Sequence, residues 1–139
     1  MKRMIQPLLI FSKWGLLILR VVVGLVLVAY GWPKIKDLKT AHKNFEMMGF
    51  KPGSLWGTIV ALFEFVGGIL LIIGFFSQLI GALIVIEFIV ATLFNIKRGA
   101  KLVGGYAIDI LLLASGFLIA TSSGHFALGV DSLLGIIIY

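Results

Sequence analysis

The chain contains no cysteine. That absence excludes disulfides, thiolate nucleophiles, paired-cysteine redox motifs and iron–sulfur ligation within it, and leaves the compartment open. Charge is also scarce: Asp, Glu, Lys and Arg make up 13% of the 139 residues, against about 25% in soluble domains. Histidine occurs twice, at His42 and His125. Both are assigned to loop and tail, where a histidine is expected to be solvated, so axial bis-histidine ligation of haem is not expected. The segment KRGAKLVGG, residues 97–105, carries no phosphate-loop pattern, and no metal or nucleotide motif is visible elsewhere.

Apolar residues fill the space left by charge. Hydrophobic side chains account for 60% of the chain and mean hydropathy is +1.14. A soluble domain of this length has too little interior for so much Leu, Ile, Val and Phe, so the expected solvent is lipid. The net charge of +6 is not read as a nucleic-acid signal, because nearly all the Lys and Arg flank the apolar runs, where they meet anionic headgroups.

A span needs about 20 apolar residues at about 1.5 Å each. The spacing predicts four spans, at about 14–32, 55–75, 78–96 and 106–122, forming an antiparallel four-helix bundle in one domain, an all-α integral membrane fold. Pro33 is expected to close the first span. The basic connection 33–54, with Lys34, Lys36, Lys39 and Lys43 beside Leu38, Phe45 and Met48, is expected to include a short interfacial helix. GFFSQLIG, residues 74–81, is expected to turn a tight hairpin. The tail FALGVDSLLGIIIY is read as interfacial, and the first span as uncleaved because Lys13 interrupts the N-terminal apolar stretch. Lys34, Lys36, Lys39, Lys43, Lys51, Lys97, Arg98 and Lys101 fall on one face against Lys2, Arg3 and Lys13 on the other. That bias predicts a multi-pass cell-membrane protein with both termini outside the cytoplasm. Trp14, Trp32, Trp56 and Tyr30 lie near span ends, as an interfacial aromatic belt does.

Four ionisable residues interrupt the apolar runs: Arg20, Glu64, Glu87 and Asp109. Counted from the face that carries loops one and three, they lie at depths of about 18, 14, 14 and 7 Å, all towards one half of the bundle. Arg20, Gly24, Leu27, Gly31 and Lys34 share one helical stripe; Glu87 shares its face with Asn95, and Asp109 with Gly105 and Gly116. Small residues beside each charge let helices approach closely. A lone charge at mid-bilayer costs about 2.5–3.5 kcal/mol, and one arginine cannot neutralise three carboxylates. Either Lys34 joins them or a carboxyl takes up a proton. Two readings follow: a site for a polar ligand or a proton, or contacts that only hold the bundle in register. Asn95 fits either a polar partner of such a site or a helix–helix hydrogen bond.

With those residues in place, the sequence resembles the DoxX family of small four-helix membrane proteins. LRVVVGLVLVAYGWPKI, with Arg20, Gly24, Gly31 and Lys34, resembles the family's first helix. FEFVGGILLIIGFFSQLIGALIV resembles its second, and GYAIDILLLASGFLIATSSGHFALGVDSLL its fourth. Asp109 stands where a glutamate is expected, Tyr30 where histidine is frequent and His125 where proline is common. The resemblance implies a membrane protein of redox metabolism, with relatives that include a subunit of a thiosulfate:quinone oxidoreductase. By that analogy Arg20, Glu64, Glu87 and Asp109, with Lys34, Tyr30 and Asn95, would receive a quinone or similar small polar ring. Electrons would come from a redox partner subunit or from the quinol. An assembly subunit and a small proton or solute carrier stand as rivals. The expected partners are the lipid bilayer, that redox subunit and a second copy of the chain, and not nucleic acid.

Overall fold

The computed structural model describes residues 11–122. The expectations for the tail and for His125, Lys2 and Arg3 fall outside the described residues. Those described are helical, with no strand among them. The helices are α1 (Ser12–Lys36), α2 (Leu38–Met47), α3 (Gly53–Leu62), α4 (Gly68–Ile73), α5 (Ser77–Lys97) and α6 (Ala107–Ser122). A single π-helical turn, Phe63–Gly67, joins α3 to α4 without a break.

Four helical stretches are long and apolar enough to cross a membrane: Trp14–Lys36, Gly53–Ile73, Ser77–Lys97 and Leu102–Ser122. On each, large apolar side chains stay exposed, among them Ile18 at 62%, Leu62 at 50%, Ile86 at 61% and Leu111 at 65%. Only lipid makes such faces stable. The chain is therefore an all-α membrane protein, with four spans among the described residues.

The span boundaries follow local chemistry, with one departure. Pro33 does not end α1: its missing N–H and its ring disturb the preceding turn, but the ladder resumes beyond it. Its carbonyl still accepts from the Asp37 amide at 3.1 Å, and the helix runs on to Lys36. The 33–54 connection then holds α2, capped at its start by Asp37, whose carboxylate accepts from the Thr40 amide at 3.1 Å and the Thr40 hydroxyl at 2.6 Å. Those bonds hold the Asp37 carboxyl below its ordinary value of 3.8, the Thr40 hydroxyl contributing most. At the other end Gly49, at φ 92°, closes α2: its amide donates to Glu46 and that of Phe50 to Phe45, each at 3.0 Å. Gly74 and Phe76, both with positive φ, form the turn between α4 and α5, where the hairpin was expected. Val103 and Gly104 leave helical geometry near the start of the last span.

Contacts divide the chain into two compact units: Val21–Ile73, and the residues on either side of it. In the first, α1 runs antiparallel to the π-turn and α4. A Cβ on Gly24 would lie 2.7 Å from the Gly68 carbonyl oxygen, and one on Gly68 would lie 2.7 Å from that of Gly24. Buried Val23, Leu27, Ala61 and Leu71 complete this core, and α2 packs on Gly53 and Gly57 of α3. In the second unit α5 and α6 form an antiparallel pair crossing at Gly81 and Gly116, around buried Ile84, Leu112 and Ile119.

Candidate functional site

In the first unit the sequence brings a cation to a carboxylate inside an apolar wall. Gly31 lets the π-turn come so near that a Cβ there would lie 2.6 Å from the Phe65 nitrogen and 3.0 Å from the Glu64 Cβ. Lys34 sits one turn further along α1. Helical side chains lean towards their own N-terminus, so Lys34 reaches back to that level. Its Nζ donates to both Glu64 oxygens at 2.6 Å. The Glu64 side chain is 4% exposed and that of Lys34 29%. A charge-assisted, two-oxygen contact of this length is a strong one, and it offsets the cost of two charges that neither wall could hold alone.

The π-turn is what aims Glu64. Widening one turn from i→i+4 to i→i+5 bonding shifts the phase of the side chains it carries, and such turns recur at functional positions. Phe65, next in sequence, stacks on Trp32 with ring centroids 5.6 Å apart, and the Lys36 Nζ lies 5.1 Å above the Trp32 ring. Lys34 also lines an open hollow of about 340 Å³ with Pro33, Asp37, Thr40, Ala41 and Asn44. The buried carboxylate is thus one lysine side chain away from an open, partly polar surface. Glu64 lies level with Gly31, five residues before the end of α1. That is nearer the end than a count along its own helix predicts, because the first turns of α3 rise beside α2 rather than beside α1.

The second unit holds the other predicted charges. The Asn95 amide donates to Asp109 Oδ2 at 2.7 Å, joining α5 to α6, so of its two expected roles Asn95 makes the helix–helix bond. Glu87 is half-buried on α5, and Arg20 of α1 is 2% exposed and groups with this unit; both residues have interaction partners. Tyr30 is 42% exposed. The structure therefore brings together Lys34 with Glu64, and Asn95 with Asp109.

Besides the π-turn, two features escaped the sequence. The Trp32–Phe65 stack joins residues from different helices, and no local pattern announces it. His42 is not a solvated loop residue: it lies half-buried on α2 with its Nε2 2.8 Å from the Thr58 hydroxyl. That hydroxyl donates to the Ser54 carbonyl at 2.7 Å, so its oxygen accepts and His42 Nε2 carries the proton. The i, i+4 spacing of Ser54 and Thr58 was the available signal for the second bond.

The DoxX family profile matches residues 15–96, which include most of α1, the π-turn and the Lys34–Glu64 pair. A Bacillus subtilis (strain 168) protein named "Putative oxidoreductase CatD" is 27% identical over 112 residues, 81% of this chain and 81% of that protein. No solved structure matches the chain.

Proposed function

The chain belongs to the DoxX family, and from that membership we propose that it serves a membrane redox system by binding a quinone or a similar small polar ring beside the Lys34–Glu64 pair. The observation that carries this reading is the pair itself, an ammonium on both oxygens of a carboxylate only 4% exposed. A quinone needs a hydrogen-bond donor for a carbonyl oxygen, a group that exchanges a proton, and a flat apolar surface for its ring. Lys34, Glu64 and the Trp32–Phe65 stack supply these chemistries. The oxidoreductase in the name of the Bacillus relative points the same way. In the other unit, Arg20, Glu87 and Asp109 with its partner Asn95 are proposed as further ligand-holding groups, each testable alone; exposed Tyr30, in the unit of Lys34 and Glu64, is a lesser one. Electrons are assigned to a partner subunit or to the quinol.

The test is solvent extraction of protein purified in mild detergent, followed by mass spectrometry for quinones. Wild type is expected to carry a near-stoichiometric quinone that is lost in Glu64→Gln and Lys34→Met while helix content is retained. Arg20→Ala reports separately on the other unit. An empty wild-type extract, together with no saturable binding of an added short-chain quinone, would overturn the reading and leave the pair as a structural contact.

A further inference from the structure

We infer that α2 and the end of α1 form a recognition surface for the headgroup of anionic phospholipids, with Lys36, Lys39 and Lys43 as the groups that take the phosphate. The location follows from tethering. Only Asp37 separates α2 from the end of the first span, and residues 48–52 separate it from the start of the second. A ten-residue helix, about 15 Å long, held so closely at both ends lies in the headgroup layer.

Its faces are unequal. Ala41 and His42 pack on Gly53 and Gly57 of α3. At 100° per residue the opposite face carries Lys43 and Met47, with Lys39 at its edge, and all three are exposed, Met47 at 74%. Lys36 adds a fourth exposed group, its ammonium 5.1 Å above the half-exposed ring of Trp32. Two acids share this stretch: Asp37 accepts from Thr40 and attracts Lys39, and Glu46 projects to the α3 side, where its Cγ is the near neighbour of Gly53; the three lysines outnumber them and leave the stretch cationic. Three exposed lysines, an interfacial tryptophan and an exposed methionine at the membrane face suit a phosphate above an acyl chain. They do not suit a zwitterionic headgroup, whose choline would meet the lysines with like charge.

The experiment places the full chain in nanodiscs of mixed phosphatidylglycerol and phosphatidylcholine and reads, by native mass spectrometry, the ratio of the two lipids retained. Wild type should retain phosphatidylglycerol above its share of the disc. Each Lys→Gln change at 36, 39 or 43 should lower that enrichment about fivefold, the factor for one basic group near an anionic surface. The triple arginine variant K36R/K39R/K43R should keep it, which separates loss of charge from loss of fold. A charge-matched control, K97Q/R98Q/K101Q, alters the other basic loop and should leave enrichment within twofold. Equal losses in the control and in K36Q/K39Q/K43Q would mean diffuse charge and overturn the assignment. Equal retention of both lipids by wild type would also overturn it, and would hand the lysines to an acidic protein partner.

Discussion

Gly31→Ala tests the contact on which the buried pair depends. The new Cβ would stand 2.6 Å from the Phe65 nitrogen and 3.0 Å from the Glu64 carbonyl carbon, and both belong to backbone that cannot rotate away. Restoring ordinary contact needs α1 and the π-turn to part by about 0.8 Å. Overpacking of this kind costs about 1–3 kcal/mol, and the better helix propensity of alanine returns up to about 1 kcal/mol. The expected net loss is about 1–2 kcal/mol. Gly15→Ala on the same helix is the internal standard, since nothing lies within 4 Å of its added Cβ, and it should gain up to about 1 kcal/mol. One chemical change at two positions of one helix thus separates by about 2–3 kcal/mol. The separation can be read from denaturation by SDS in mixed micelles, followed by tryptophan fluorescence. Trp32, stacked on Phe65, should shift its emission in Gly31→Ala and not in Gly15→Ala. If both variants unfold at the wild-type midpoint or above it, α1 does not approach the π-turn as described, and the account of how Glu64 is aimed fails with it.

The ion pair should respond asymmetrically: Lys34→Met strands a buried carboxylate and should cost about 3 kcal/mol. Glu64→Gln leaves a lysine with access to the open hollow and should cost less. Lys34→Met/Glu64→Gln together should recover part of the loss in the same SDS titration, and strict additivity would refute the pairing. At α2, Asp37→Ala should raise amide exchange in the first turn while Asp37→Asn, which still caps, should not. The Asp37 carboxyl is held below its ordinary value of 3.8, so the cap's contribution is complete above 3.8 and is lost only as pH falls through the lower native value. Protection that already fades between pH 6 and 5 would contradict the cap. Asn95→Leu removes the donor to Asp109 and should destabilise by about 1 kcal/mol, whereas Asp109→Asn keeps an acceptor and should cost less; the same titration of the two variants decides it.

The sequence was most legible where solvent dictates the answer. Four apolar runs of span length and the turn at Gly74 could be read directly, because lipid permits only self-bonded helices and a positive φ needs a residue such as glycine. The stripe Arg20–Gly24–Gly31–Lys34 also identified the face of α1 that meets its neighbour, and with it Lys34 as a partner for a carboxylate. What stayed hidden depends on side chains meeting across helices. FEFVG contains nothing that distinguishes a π-turn from an α-turn, and the wider turn lies where the segment meets Gly31 of another helix. Pro33 misleads for a related reason: it carries a strong local signal to stop, yet the helix runs on to Lys36 and carries Lys34 to its ion pair with Glu64. Asn95 and Asp109 lie fourteen residues apart, and only the pairing of α5 with α6 tells which of two carboxylates the amide meets.

The π-turn at Phe63–Gly67 also makes this helix sensitive to length in a way its neighbours are not. An i→i+5 turn holds one residue more than an α-turn, so it behaves as an insertion absorbed in place. Deleting one residue from it would let an unbroken α-helix form at no cost in backbone bonds. Everything beyond would then keep the phase it has now, because the extra residue is taken up within the wide turn. The same deletion made two turns earlier, in α3, leaves the bulge standing and turns Gly57 and the α2 contact about 100° away from the face that carries Glu64 and Gly68. A one-residue deletion that spares Glu64 and Phe65 should therefore be tolerated within this turn and rejected in α3, so the turn is the place where the second span can change length without losing its crossing with the first.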